Sequence, residues 1–323
     1  KSSYFLPQEV LDVIHSSLNF QYNVSFSYKN IDFKIRFYFE GLCPKVDNYI
    51  QYIKWIICLC LLYIDNEEKQ TINVDLFMTN MKKNIDKDFN HTIGPIHVNS
   101  GYSSFRENIY ICIFRKEEWM KVFIHECFHA FNMDFHEERI NFQNMFQNIF
   151  HVDSTFLVCE SFVEFWAKIL NCALFTYQLQ ANINESQFCD LFALNINIER
   201  MFSLLQSCKM LKLFQLKYRD VVNEEHKSIC KTMYKEESNA FCYYVITSLM
   251  MNFFDATIQW FQTNQKDLFY FDKSERQVMI FCYYIRQKAL DDTFISLMDE
   301  LSDVCQIKKH NDMKLSLFEI QVK

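Results

Sequence analysis

From Tyr102 to Lys323 the chain runs 222 residues without a glycine or a proline. The whole sequence holds three of each: Gly41, Gly94, Gly101, Pro7, Pro44 and Pro95. Average usage would give roughly 22 and 16. An all-β architecture, with its many Gly/Pro turns, is therefore disfavoured. No glycines stand close enough to build a P-loop or a GxGxxG turn, which removes the common nucleotide-binding loops. Lys, Asn, Ile, Phe and Tyr outnumber Ala and Arg in the way A/T-rich codons dictate, and part of the Gly/Pro shortage follows from the same bias.

The chain can bury a large core. Half of its 323 residues are apolar, 34 of them Phe and 17 Tyr, enough for one large domain or two. A net charge of −7 argues against a general nucleic-acid binder. The longest apolar run, Trp55 to Ile64, is too short to cross a bilayer. Thirteen cysteines, an odd number scattered without a CxxC pair, point to a reducing compartment without a disulfide framework. No signal peptide opens the sequence and no initiator Met precedes it, the expectation for an intracellular fragment or processed form.

Two characters follow each other along the chain. Residues 19–40 alternate apolar and polar like a hairpin of two strands. Residues 46–64 read as a helix with Asp47 as N-cap. Residues 72–79, 96–101 and 108–114 return to strand character, and Asn80 to Asp88 reads as a solvated loop. From Lys116 onward, helical periodicity covers 116–132, 153–181, 185–217, 219–234, 237–263, 274–289 and 291–308. The tail after Lys308 is polar and then amphipathic, and fits a partner contact. The fold class is α+β, predominantly helical: a small N-terminal mixed sheet with its helix in residues 1–132, then a helical region in 133–323.

The segment KVFIHECFHAF, residues 121–131, contains His125, Glu126 and His129 as HExxH. On a helix, positions i and i+4 share one face. Two imidazoles there can bind one Zn²⁺ while the intervening Glu addresses its open side as general base. With 9 His and 21 Glu in the chain, accidental matches number about 0.02. Glu117 and Glu118 fall in the first turn of this helix, where the macrodipole favours carboxylates. A third ligand is required, and Glu160, His136 and His151 are the candidates. Glu160 begins Glu160-x-x-x-Glu164 on a helix rich in Phe and Trp, where unpaired carboxylates are costly.

HExxH followed by this Glu on a second helix resembles the gluzincins, a group of zinc metallopeptidases. The resemblance covers roughly residues 70–170. It implies a zincin-like fold, zinc held by His125, His129 and Glu160, and Glu126 as general base. It further implies that Glu164 hydrogen-bonds the first motif imidazole, and that an edge strand before the helix, here Val98, Asn99, Ser100 and Gly101, pairs with a peptide or protein substrate. His136 is a poor match to the metzincin pattern HExxHxxGxxH, which puts its His at Phe135 and its Gly at Asn132. The oxyanion donor that gluzincins supply as Tyr or His falls to Tyr243, Tyr244 or His226. The spelling RKEEWMKVFIHECFH also resembles metallopeptidase-like proteins encoded by large DNA viruses, which makes a cytoplasmic or virion-associated location the expectation.

The expected activity is zinc-dependent peptide hydrolysis, with neither nucleic acid nor membrane as partner. The alternative is a non-catalytic structural or interaction protein, such as a virion component, that retains the same fold. A closed structural zinc site would need a fourth ligand such as Cys127 or Cys159, and Cys127 points away from the motif face of a regular helix.

Overall fold

The computed structural model describes residues 6–28, 30–42, 45–63, 70–85, 89–104, 109–135, 140–179, 184–305 and 311–320. Five strands, β1 (Phe20–Tyr28), β2 (Ile31–Phe39), β3 (Gln70–Phe77), β4 (Gly101–Ser104) and β5 (Ile109–Ile113), form one mixed sheet in the order β1-β2-β3-β5-β4. β1 and β2 are the expected antiparallel hairpin; β3 runs parallel to β2 and to β5; β4 closes the edge antiparallel to β5. On β2 the apolar period of two is complete. Ile31, Phe33, Ile35, Phe37 and Phe39 are buried on one face, while Lys34 and Arg36 lie on the other.

Helices α1 (Gln8–Ser17), α2 (Val46–Cys60) and α3 (Pro95–Val98) belong to this half. α1, which the periodicity did not announce, covers the outer sheet face through Val10 against Cys112 and Phe114. α2 lies on the inner face, where Tyr49 packs its ring on Trp119 at 4.8 Å and edge-on to Phe37 and Phe39. Asp47 sits inside the first turn of α2; the N-cap position is Lys45. Residues 96–101 are not a strand. Pro95 follows Gly94 at the first helical position, where its fixed φ starts a turn of helix. The chain becomes extended only at Gly101. A Cβ on Gly101 would come within 2.9 Å of the Cys112 carbonyl oxygen, Ile113 Cδ1 and Val122 Cγ1. The edge strand can therefore pack this tightly only because this position is glycine.

The helical half contains α4 (Trp119–Ala130), α5 (Ile140–Gln147), α6 (Val158–Leu179), α7 (Glu185–Leu213), α8 (Tyr218–Val222), α9 (Lys227–Met233), α10 (Thr247–Asn252), α11 (Phe254–Asn264), α12 (Glu275–Ala289) and α13 (Asp292–Val304). A π-helical segment, Cys242–Ile246, leads into α10. The helix expected over 219–234 breaks at Asn223, whose side chain caps a short 3₁₀ turn, Glu224–His226. One apolar core runs through both halves, from Ile31 on the sheet to Ile320 in the tail. Among the described residues no helix is long and apolar enough to cross a membrane, and the cysteines there form no disulfide.

The tail does not stand free for a partner. Met313, Leu315, Phe318 and Ile320 are buried in the chain's own core, and the Asn171 amide donates to the Phe318 carbonyl. Residues 306–310 lie outside the described residues. Nor is the stretch at 80–85 a solvated loop. Lys83 is fully buried, paired through its ammonium with Glu118 at 2.9 Å. Residues 86–88 lie outside the described residues.

Candidate metal centre

α4 crosses the core between the sheet and α6, and every one of its residues except His129 is buried. Its N-terminus departs from expectation. Glu118 adopts a left-handed conformation, φ 54°, just before the helix, so neither Glu117 nor Glu118 sits in the first turn. Their carboxylates hold other backbone instead. Glu117 accepts from the Lys83 amide, and Glu118 from the Leu315 and Ser316 amides.

Along α4, Lys121, His125 and His129 recur every four residues and face α6. Along α6, Glu160, Glu164, Lys168 and Asn171 make a polar stripe on an otherwise apolar helix. The two stripes meet. His125 Nε2 and His129 Nε2 stand 3.1 Å apart, and Glu160 Oε2 lies 3.2 Å from each. These three atoms form a nearly equilateral triangle. Two zinc bonds of about 2.05 Å at the tetrahedral angle span about 3.3 Å, so the triangle fits one face of a zinc tetrahedron. Among the described residues no fourth His, Cys, Asp or Glu joins the group, which leaves the fourth position open. Cys159 lines the cleft without joining it. The Cys127 thiol is hydrogen-bonded with that of Cys60 on α2, away from the motif face.

The second nitrogen of each imidazole is engaged. His125 Nδ1 is 3.1 Å from Glu164 Oε2, and His129 Nδ1 is 2.8 Å from Asp134 Oδ2. With the Nδ1 proton donated to a carboxylate, each Nε2 presents its lone pair. Two imidazole lone pairs and a carboxylate oxygen then converge on one point, an arrangement of three acceptors that requires a cation or a proton between them. The electrostatics agree. Burial opposes charge on both imidazoles, yet Glu160 and Glu164 raise His125, and Glu160 with Asp134 raises His129 well above the ordinary value. Burial pushes Glu160 up, but His129 and His125 outweigh it and hold the carboxyl well below the usual range.

Asp134 is one residue of the site that sequence reasoning missed. It reaches His129 because the chain reverses at Asn132, whose φ of 52° is left-handed, while the Met133 amide reaches back 2.8 Å to the Phe128 carbonyl and ends α4. Asn tolerates this conformation better than most residues that carry a Cβ, so the turn after the second motif His is made without glycine. Asp134→Asn keeps the shape and removes the charge. Zinc affinity is expected to fall about 10- to 100-fold, read by competition against a chromophoric chelator.

The triangle of His125, His129 and Glu160 opens into a cleft of about 590 Å³. Glu126 and β4 form one wall of it. Val98, Asn99, Ser100 and Gly101 all line the cleft, but only Gly101 belongs to the edge strand, which continues through Ser104. The Phe114 amide bonds the Ser100 carbonyl at 2.9 Å. By the antiparallel alternation the backbone groups of Gly101 and Ser103 therefore point away from β5, into the cleft. The Ser103 hydroxyl bonds Glu126. Burial raises the Glu126 carboxyl above its ordinary value against the pull of His125, His129 and this hydroxyl.

Of the three proposed oxyanion donors, one reaches the cleft. Tyr243 lines it, with its ring 5.8 Å from that of His125 and its phenol bonded to Glu160. Tyr244, the next residue of the π-helical segment, turns away from the cleft, is buried, and donates to the Met313 carbonyl. His226 sits in the 3₁₀ turn, where Nδ1 pairs with Asp220 at 2.8 Å and the side chain is 42% exposed; it does not line the cleft. Nor does His151, whose Nε2 lies 3.2 Å from Glu224. His136 lies outside the described residues.

Compared with models of protein families, with curated proteins and with solved structures, the chain finds no match.

Proposed function

We propose that the protein is a zinc-dependent metallopeptidase of gluzincin type. The observation that carries this reading is the triangle of His125 Nε2, His129 Nε2 and Glu160 Oε2, with each imidazole fixed by its own carboxylate and with Glu126 beside it in the cleft. A zinc ion held there supplies a Lewis acid that makes water nucleophilic near neutral pH. The protein does the rest. An extended peptide adds to the free edge of β4 through the outward backbone groups of Gly101 and Ser103. Glu126 takes the proton of the attacking water and returns it to the leaving amine. The Tyr243 phenol donates a hydrogen bond to the oxygen that becomes negative.

Metal analysis of the purified protein is expected to give about one zinc per chain. Hydrolysis of a mixed peptide library should be lost on chelation and restored by zinc. A chain that takes up no zinc, or zinc-loaded protein that leaves every peptide intact, overturns the proposal.

A further inference from the structure

Glu236 does not line the cleft, yet it stands where three segments that build the cleft meet. Its backbone makes the first join, a parallel bridge with Ile93. The Ile93 amide donates to the Lys235 carbonyl at 3.0 Å, and the Glu237 amide donates to the Ile93 carbonyl at 2.8 Å. Ile93 leads into α3 and the cleft wall at 98–101. Two residues after Glu236, the Ser238 hydroxyl reaches Asn99 Oδ1 of that wall at 3.1 Å. The Glu236 side chain makes the other two joins. Oε1 accepts from the Ser154 hydroxyl, four residues before α6 and close to its Glu160 in sequence. Oε2 accepts from the Tyr234 hydroxyl at 2.7 Å and from the Phe241 amide at 2.8 Å.

The bond to Phe241 connects Glu236 to the chemistry. The helix that carries Tyr243 begins at Ala240, and the Tyr243 amide bonds the Asn239 carbonyl at 3.1 Å in its first turn. The amides of Ala240 and Phe241 come before that bond and have no acceptor within the helix. The Glu236 carboxylate accepts from both, at the positive end of the macrodipole. This cap is costly. Glu236 is partly buried, and among the described residues no Lys, Arg or His pairs with it. Burial pushes its carboxyl up to about 7, against the pull of the Ser154 and Tyr234 hydroxyls and the two amides. Tyr243 follows at once in the π-helical segment, whose wide turn is held by the Ser161 and Thr247 hydroxyls on the Cys242 carbonyl. So close to the helix start, the direction of the Tyr243 ring follows from where the first turn is held.

We propose that Glu236 is a positioning residue, whose carboxylate fixes the first turn of this helix and thereby seats the Tyr243 phenol in the cleft. That role rests on Tyr243 as the oxyanion donor, so seating and catalysis are read separately. Seating is read in the metal-free chain with Tyr243 replaced by 3-fluorotyrosine. The fluorine resonance is expected to shift in Glu236→Ala and to stay in place in Glu236→Gln, whose amide oxygen still accepts from Phe241 while its NH₂ donates to the Ser154 hydroxyl. Catalysis is read in the zinc-loaded chain. Glu236→Ala is expected to lower kcat for a peptide roughly 10- to 100-fold with KM and bound zinc unchanged, and Glu236→Gln to restore it. Tyr243→Phe alone is expected to cost roughly 10²- to 10³-fold. Adding Glu236→Ala to it should cost nothing more, because the group through which Glu236 acts is gone. Should Glu236→Ala not fold, Glu236→Asp, one methylene short of the Phe241 amide, takes its place with the same expected results. A resonance that does not move overturns the proposal. So does a further loss of kcat when Tyr243→Phe is already present, which assigns Glu236 to the fold at large. A shifted resonance in a chain whose wild type hydrolyses no peptide supports the seating of Tyr243 by Glu236 and overturns the peptidase reading alone.

Discussion

Lys121→Met is expected to destabilise the fold by roughly 3–5 kcal/mol, the usual cost of leaving one member of a buried ion pair without its partner. Lys121 Nζ lies 2.9 and 3.0 Å from the two oxygens of Glu164, and the side chains are 2% and 1% exposed. Burial pushes the Glu164 carboxyl up, and Lys121 is the largest of the influences that hold it well below the usual range, ahead of His125. Without the ammonium, Glu164 must stay charged in the core with only His125 and Lys168 to offset it, or take up a proton and release His125. The double substitution Lys121→Met with Glu164→Leu removes both charges and restores apolar packing, so much of the lost stability should return. Zinc affinity should not return with it, because His125 Nδ1 then has no carboxylate to fix its ring. Urea unfolding of the metal-free protein and zinc competition separate the two effects. Equal stability of wild type and Lys121→Met would show that the pair contributes nothing to the fold.

This ion pair is part of a larger pattern that the sequence carries in plain form. Glu160, Glu164, Lys168 and Asn171 recur at spacings of four, four and three on a helix otherwise rich in Phe, Val, Ala and Leu. The first two can be read as metal chemistry because HExxH precedes them. The last two continue the same stripe into Glu199 and Ser203 of α7 and into the carbonyl of Phe318. Lys121 is legible in retrospect, since it stands four residues before His125 and so shares its face. Its partner across the helix pair is not, because nothing in local spacing says which helices meet.

The same limit separates what was read from what was missed elsewhere. The hairpin at residues 20–39 follows from a strict period of two, and α12 and α13 from apolar stripes with no breaker. The structure describes both close to the expected bounds. Asp134 is invisible to periodicity because its position depends on one left-handed residue, Asn132. The split of residues 219–234 depends on a side-chain cap at Asn223 that competes with the helix for backbone hydrogen bonds. Lys83 looks solvated in a stretch of Lys, Asn and Asp, and only the tertiary approach of Glu118 draws it inside. Neighbouring tyrosines diverge for a simpler reason. On a helical turn Tyr243 and Tyr244 cannot both face the cleft, and sequence alone does not choose between them.

Glu126→Gln is expected to leave about one zinc per chain bound while lowering peptide hydrolysis roughly 10²- to 10⁴-fold. The argument rests on where Glu126 stands. It is one residue from His125 on the helix, so its side chain leaves that face and turns toward β4, where it lines the cleft and bonds the Ser103 hydroxyl. It is no member of the His125, His129 and Glu160 group, so a neutral amide of the same shape should not disturb metal uptake. What the amide lacks is a basic oxygen. Burial raises the Glu126 carboxyl above its ordinary value, which makes it a better proton acceptor than an exposed glutamate, and Gln cannot accept that proton at all. The loss should therefore appear in kcat, with KM for a peptide that lies along β4 changed little. If Glu126→Gln loses its zinc, the side chain is a ligand and not a base. If the variant keeps both zinc and full turnover, proton transfer is carried by another group, and the cleft offers Tyr243 as the next residue to replace.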